Sequence, residues 1–501
     1  MFDIYEDFID FNVNSDSNLV IAMAQLPVCW KKDGNFVRHK DPGKQWKLIE
    51  QTLNTIKESN FQGRRVDVAV FPEWSVPHEC VDKLKECVKK FNSDFILLAG
   101  FDYISLERFV ELLEGSDNRK KEEQVRPIIE STDYTHIKKD KPVNFCSIIV
   151  KSGDEVKQYF QSKLFPAGCE QTGSRNSEIL HGGCLSCFKV NARENNGTPG
   201  LQKFSFFPLI CFDQLYEKTE AGFSVIESLI EYSKKHGAPD IVFILQYNPR
   251  MNHPSIDEAL YEYYLCLPTR ALRACTYTLF VNVSDGSTNP NKNDSPVHGS
   301  LLVFNKKAIF NDTSEHRLTK MGRGNLHKME FVNTSDRLYF LECALLSNYK
   351  EVVRASRNPI EIMQICERKD TKWNYVLPKE VIYDKVNSNS LYPMIDMYCS
   401  DEFIGYFEDG ALGNKVVIDE LRKNELLGIF QRIYEYTQKE EIPTQLIESL
   451  EQLVKRLDQL EKVKDKKLTE TEDENVKDKL YTVGTYLQQS KKIIKSITKK
   501  W

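Results

Sequence analysis

Phe207-Pro208-Leu209-Ile210-Cys211-Phe212-Asp213-Gln214 is a short apolar run that ends abruptly in a thiol, an aromatic ring and a carboxylate. A buried strand delivers a side chain to the lip of a sheet in this way. A cysteine placed there is either packed or reactive. A reactive thiol needs a base and an anion-stabilising group, and Glu73 and Lys163 are the candidates upstream.

Toward the N-terminus the surroundings read as alternating strands and helices. Residues 1–17 look like a loosely held arm, and Leu19 to Leu26 has the length and apolar density of a central strand. Trp46, Ile49, Leu53 and Ile56 recur at helical spacing within Gln45 to Ser59. Val66 to Phe71 is a β-rich run stopped by Pro72, which has no N–H to donate, so Glu73 and Trp74 fall at a strand's C-terminal end. Chemistry in α/β folds collects at such ends. A helix over Cys80 to Phe91 and a strand over Phe95 to Gly100 repeat the alternation.

Residues 103–140 carry many charges without periodicity and read as a surface insertion. Asn144 to Lys151 and Glu155 to Lys163, joined by Gly153-Asp154, read as a hairpin. Leu164 to Glu170 holds two breakers and reads as a loop. Beyond the opening stretch, Val225 to Lys235 and Glu258 to Arg273 are helical in pattern. Asp240 to Gln246, Thr278 to Val283, Ser300 to Phe304 and Arg337 to Ala344 are the remaining strands, the last two finishing the β content.

This organisation gives a first domain over residues 18–345, a mixed connecting region over 346–413 and a helical region over 414–501. In the last, Leu446, Leu450, Leu453, Leu457 and Leu460 step by four and three, and Val476, Leu480, Val483 and Leu487 repeat the pattern. That is a helical hairpin or short coiled coil.

At 501 residues the chain exceeds one ordinary core, which calls for two domains and a helical appendage. Its 41% hydrophobic and 28% charged residues are those of a globular protein, and a net charge of -5 points to no nucleic-acid surface. The acidic start Met1 to Asp7 lacks the pattern of a secretory signal. The apolar runs fall far short of the roughly 18 to 20 residues that span a bilayer, so no integral membrane association is expected. Thirteen cysteines, an odd number without a framework, fit reduced thiols in the cytoplasm. His181-Gly182-Gly183-Cys184-Leu185-Ser186-Cys187 offers one C-x-x-C with a nearby His but no second ligand pair, so turn chemistry explains it better than zinc.

Glu73 suits the base, Lys163 the fixed positive charge that also favours thiolate, and the backbone N–H of Phe212 a further oxyanion donor. A carboxylate then stands where histidine usually does. Asp213 reads as a local structural residue.

Val68-Ala69-Val70-Phe71-Pro72-Glu73, Tyr159-Phe160-Gln161-Ser162-Lys163-Leu164 and Leu209-Ile210-Cys211-Phe212-Asp213, in that order, resemble the Glu-Lys-Cys signature of the nitrilase, or carbon-nitrogen hydrolase, superfamily. Ala24-Gln25, Asn144, Arg270-Ala271, and Asn282 with Gly286 fit the same resemblance, which covers residues 18–345. It implies a four-layer-forming α-β-β-α sandwich and a thiol-dependent hydrolase of a non-peptide amide or nitrile, with no metal and no cofactor. By that analogy Cys211 forms a thioester, Glu73 passes the proton to the departing ammonia or amine, and water activated by Glu73 releases the acid. Lys163 holds the oxyanion. Glu170 matches the second glutamate that family members carry after the lysine. Trp74, Phe212, Tyr247 and Asn248 fall on pocket-lining loops.

The resemblance further implies a small-molecule substrate and a homo-oligomer formed through the sandwich helices. A different class of reading is an assembly, signalling or defence protein that uses the domain as a binding module. Its C-terminal helices would then recruit a protein partner.

Overall fold

The computed structural model describes residues 2–11, 18–61, 63–125, 141–165, 179–180, 182–192, 202–214, 225–249, 277–288, 298–305, 316–320, 326–331, 333–345 and 360–376, with scattered positions between 454 and 491. The chain is mixed α/β, with two large sheets and few helices, and it divides into two compact units. The first takes in Met1–Phe310 and Glu315–Pro378.

In chain order the first unit begins with β1 (Asp3–Asp10), β2 (Asn18–Gln25), β3 (Trp30–Asp33), β4 (Phe36–His39), α1 (Pro42–Glu58), β5 (Val68–Val76) and α2 (Val81–Lys89). It continues through β6 (Phe95–Ser105), α3 (Leu106–Glu114), α4 (Lys121–Val125), β7 (Pro142–Ser152), β8 (Glu155–Ser162), β9 (Cys184–Asn191) and β10 (Gln202–Ile210). A 3-10 turn, Cys211–Gln214, leads to α5 (Val225–His236), β11 (Ile241–Leu245), β12 (Tyr277–Val281) and β13 (Leu301–Asn305). β14 (His316–Lys320), β15 (Leu326–Phe331), β16 (Arg337–Ala344), β17 (Ile360–Lys369) and β18 (Lys372–Val376) complete it.

Two eight-stranded sheets result, one ordered β18-β17-β16-β2-β5-β6-β7-β8 and the other β1-β9-β10-β11-β12-β13-β15-β14. Alternation along the strands decides what lies between them. Ile21, Met23, Val68, Val70, Ile96 and Leu98 of the first sheet share one buried cluster with Phe188, Phe206, Phe243 and Leu279 of the second. The opposite side chains of the first sheet, Ala22, Ala69, Phe71 and Leu97, pack with Leu48, Ile49 and Leu53 of α1 and Leu84 and Val88 of α2. On the second sheet Leu185, Phe207 and Val242 pack with Leu229 and Tyr232 of α5. Strands buried on both faces lose the hydrophobic-polar alternation, which is why β2, β5 and β11 read as continuous apolar runs.

Local signals account for the helix ends. Asp41 caps α1 by accepting from the Lys44 N–H at 2.9 Å, with Pro42 inside the first turn. Ser105 caps α3 in the same manner through Arg108 N–H at 3.3 Å.

Several expectations are corrected. Residues 3–10 are not a loose arm: β1 pairs in parallel with β9 from Asp3↔Cys184 to Asp10↔Asn191, and burial of Phe2, Ile9 and Phe11 holds it there. The described part of 103–140 is not irregular either, because β6 continues to Ser105 and α3 and α4 follow, with Phe109 and Leu113 packed inward. The β content does not finish at Ala344, since β17 pairs with β16 and β18 with β17. Pro72 does not end β5. It interrupts the pairing with β6 between Phe71 and Val76 while the strand runs on. Cys184 and Cys187 lie in β9 rather than a turn, and their odd separation puts them on opposite faces. Cys187 faces the α5 cluster, and Cys184 meets Gln124 Nε2 at 3.2 Å. The expected helix over Glu258 to Arg273 lies outside the described residues.

The second unit comprises Asn311–Ser314 and Lys379–Trp501. Its described positions between 454 and 469 are helical, with Leu457 buried, and Lys491 bonds Asp458 at 2.8 Å and also Glu461. The rest of the expected helical region lies outside the described residues. No helix among the described residues is long and apolar enough to cross a membrane.

Candidate active site

Groups from β7, from just after β8 and from just beyond β11 converge on one buried carboxylate inside β5. Glu73 lies where the β5–β6 register shifts, between Phe71 and Val76, and is 1% exposed. Its Oε1 accepts from Lys163 Nζ at 2.9 Å and from Asn144 Nδ2 at 2.7 Å, and its Oε2 accepts from the Tyr247 backbone N–H at 2.9 Å. Lys163 directly follows β8, Asn144 belongs to β7, and Tyr247 lies two residues beyond β11. An ammonium and a carboxylate both removed from water are costly unless closely paired and further hydrogen-bonded. Here both side chains are 1% exposed and the carboxylate has three donors.

The backbone makes room for this. Gly100 sits opposite Glu73, where a Cβ would come within 2.6 Å of Glu73 Cα and 2.7 Å of Pro72 O. Only glycine permits that approach. Trp74, the residue after Glu73, has a φ of 58°, in the left-handed region that bulky residues avoid. Such strain persists where the surroundings over-determine it.

Cys211 has the same strained signature, with a φ of 45°. It directly follows β10, opens the 3-10 turn, and is half-buried against the inter-sheet cluster. Because β10 and β11 run parallel with Ile210 beside Leu245, Cys211 leaves its strand on the same level as the segment that carries Tyr247. Asp213 joins this turn to the lysine. Its Oδ1 accepts from the backbone N–H groups of Leu164 at 2.9 Å and Phe165 at 2.6 Å, and its Oδ2 from Ile210 N–H at 3.1 Å. Burial pushes the Asp213 carboxyl up to about 7, against the opposing pull of Lys163 and of those N–H groups.

Aromatic rings stand beside the carboxylate. Trp74 and Tyr247 lie 4.8 Å apart between centroids, with Trp30 edge-on to both and Tyr103 edge-on to Trp74. Asn248 is half-buried, and Asn282 clasps its backbone by accepting from the Asn248 N–H at 2.9 Å and donating to the Asn248 carbonyl at 2.8 Å. Ser300 Oγ accepts from Asn282 N–H at 3.1 Å and bonds Gln25 Oε1 at 3.2 Å, which carries the support back to β2.

Among the residues singled out from sequence, the structure therefore brings Glu73, Lys163, Tyr247 and Trp74 into one cluster and sets Cys211 on the turn tied to Lys163 through Asp213. Glu170, Arg270 and Ala271 lie outside the described residues, as does the side chain of Phe212. Asn144 stood in the sequence only as a flanking match and proves to be a donor to Glu73. Trp30 and Tyr103 escaped notice. For Trp30, its place in the short polar hairpin of β3 and β4 was the one available signal.

Past the end of β5, His78 and Glu79 of the 3-10 turn His78–Cys80 and Asp102 of β6 each offer a ligand atom within 4.8 Å of one another. Internal hydrogen bonds account for this grouping. His78 Nδ1 meets Asp102 Oδ1 at 2.9 Å, and the same carboxylate accepts from the backbone of His78 at 2.7 Å and of His39 at 3.3 Å.

No model of a known protein family matches the sequence, and no curated protein matches it either.

Proposed function

We propose that the first unit is a nitrilase-type α-β-β-α sandwich acting as a thiol-dependent hydrolase of a non-peptide amide or nitrile. The observation that carries this reading is the buried Lys163–Glu73 pair at 2.9 Å, linked through Asp213 to the strained turn of Cys211. A carboxylate sequestered with an ammonium is weak support for stability, since well-packed apolar residues of similar volume often do as well. Placed beside a thiol, it supplies a base and a fixed charge in one unit.

For an amide, the Cys211 sulfur forms a bond to the carbonyl carbon while its proton passes to Glu73 and the π pair moves onto oxygen. Lys163 holds that oxyanion. Its collapse breaks the carbon-nitrogen bond, and the proton on Glu73 leaves with the nitrogen as ammonia or amine. Water then attacks the thioester carbon, gives one proton to Glu73 and expels the sulfur, which recovers a proton as the acid departs. Trp74, Tyr247 and Asn248 border the substrate, which is a small molecule. Glu170 orients Lys163 or the water. The helices outside the sheets form a homo-oligomer, and the C-terminal helices engage a protein partner.

Release of ammonia or amine from a panel of small amides and nitriles tests the reading, with Cys211→Ala as the control. Turnover by the wild type and none by the variant is expected, with a mass increment on Cys211 in a quenched reaction. Turnover that survives Cys211→Ala would refute it.

A further inference from the structure

We infer that Asp213 is a positioning residue whose carboxylate bolts the chain leaving Lys163 to the turn carrying Cys211, so that the ammonium and the thiol are held as one constellation. The inference rests on the reading of Cys211 and Lys163 given above. Among the described residues its carboxylate accepts from the backbone N–H groups of Leu164, Phe165 and Ile210.

The geometry is that of a bridge between two distant segments. Leu164 and Phe165 lie nearly fifty positions before Asp213 in sequence, yet both their N–H groups point at Oδ1. The Ile210 N–H, on the residue before the thiol, points at Oδ2. Asp213 is 1% exposed, so water does not replace these bonds. Two consecutive amides converging on one oxygen fix the direction in which the chain leaves Lys163. The remaining oxygen accepts from the residue just before Cys211, whose φ is 45°.

A carboxylate is also the wrong charge for the site. Next to a thiol it disfavours thiolate, whereas a well-placed ammonium favours it. Removing Asp213 therefore separates two roles by sign. If the residue acts only through its charge, its loss lowers the pKa of the thiol. If it holds Lys163 in place, its loss raises that pKa.

The test is the rate of Cys211 alkylation by iodoacetamide across pH, read by peptide mass spectrometry in the full chain. Wild type, Asp213→Ala and Asp213→Asn are compared after far-UV circular dichroism shows them folded. Asp213→Ala should raise the apparent pKa of labelling and slow it about tenfold near neutral pH. Asp213→Asn keeps an oxygen for Leu164 and Phe165 but sets its NH2 against the Ile210 N–H, so its rate should fall between those of Asp213→Ala and wild type. Labelling of Asp213→Ala that is unchanged or faster, or an Asn variant as slow as the Ala variant, would overturn the inference.

Should Asp213→Ala not fold, Asp213→Ser replaces it, its hydroxyl lying one bond short of the carboxylate oxygens. Failure of all three variants to fold would make Asp213 a folding element and overturn the inference as well. Alkylation needs no substrate. A chain that labels as expected but turns over no amide would thus refute the hydrolase while sparing the bridge.

Discussion

Lys163 Nζ lies 2.9 Å from Glu73 Oε1, and neither side chain is more than 1% exposed. Ninety positions of sequence separate them.

Lys163→Met keeps the length and apolar stem of the side chain but leaves the Glu73 carboxylate buried without its ammonium. Asn144 and Tyr247 continue to donate to it. Removing one partner of a buried pair costs about 3 kcal/mol, and urea unfolding should show a loss of this size. Turnover should fall below detection. A variant as stable as the wild type would show that the pair carries little of the local folding energy.

Gly100→Ala touches no group proposed to react. Its new Cβ would overlap the backbone of Pro72 and Glu73, which cannot rotate away as a side chain can. Overpacking of this kind costs about 1–3 kcal/mol. Activity should drop by more than tenfold through displacement of Glu73, as small misplacements of catalytic groups do. Full activity in a folded variant would place the β5 and β6 backbones farther apart than the contact implies.

Asn282→Ala removes both hydrogen bonds that clasp the Asn248 backbone. Loss of about 1–3 kcal/mol is expected. If Asn248 borders the substrate, KM should rise more than kcat falls. Steady-state kinetics with the best substrate of the panel separates the two.

Two buried groups give opposite pH dependences. Burial pushes Asp213 up to about 7, so between about pH 4 and 7 the folded chain holds this proton more tightly than the unfolded one. That contribution to stability is present at low pH and is lost as pH rises toward 7. Burial pushes His316 down to about 4, so between about pH 4 and 6.5 the unfolded chain binds the proton instead. Its contribution is present above pH 6.5 and is lost as pH falls. The stability of Asp213→Asn relative to wild type should therefore rise with pH from about 4 to 7, and that of His316→Gln should fall over about 4 to 6.5. Urea midpoints at several pH values measure both slopes.

Much of the architecture was legible because burial writes itself into sequence. Leu19 to Gln25 and Ile241 to Leu245 could be placed as strands since both their faces are covered, which forces continuous apolar runs. The helix of Pro42–Glu58 carried its periodicity in Trp46, Ile49, Leu53 and Ile56, whereas its Asp41 cap came only with the structure. β1 was not legible, because an edge strand with one wet face, spelled Asp-Ile-Tyr-Glu-Asp-Phe-Ile-Asp, has no such density and depends on β9, more than 170 positions away. Likewise α3 hid among charges, its inward side reduced to Phe109 and Leu113.

The sequence by itself determined many of the elements and the chemical kinds of residue on or beside them: a carboxylate after Phe71-Pro72, a lysine after a hairpin, a thiol after Ile210. It could not determine that the carboxylate and the lysine meet, or that the turn of the thiol is tied to the chain leaving the lysine. Their meeting depends on the order of strands within each sheet and on the face-to-face packing of two sheets, both long-range properties that no local propensity encodes. Tertiary structure also decided the roles of the supporting groups. Asn144, Gly100 and Asp213 look ordinary in sequence, since a hydrogen-bond partner or a close backbone approach becomes visible only when distant segments share a buried space from which water is excluded.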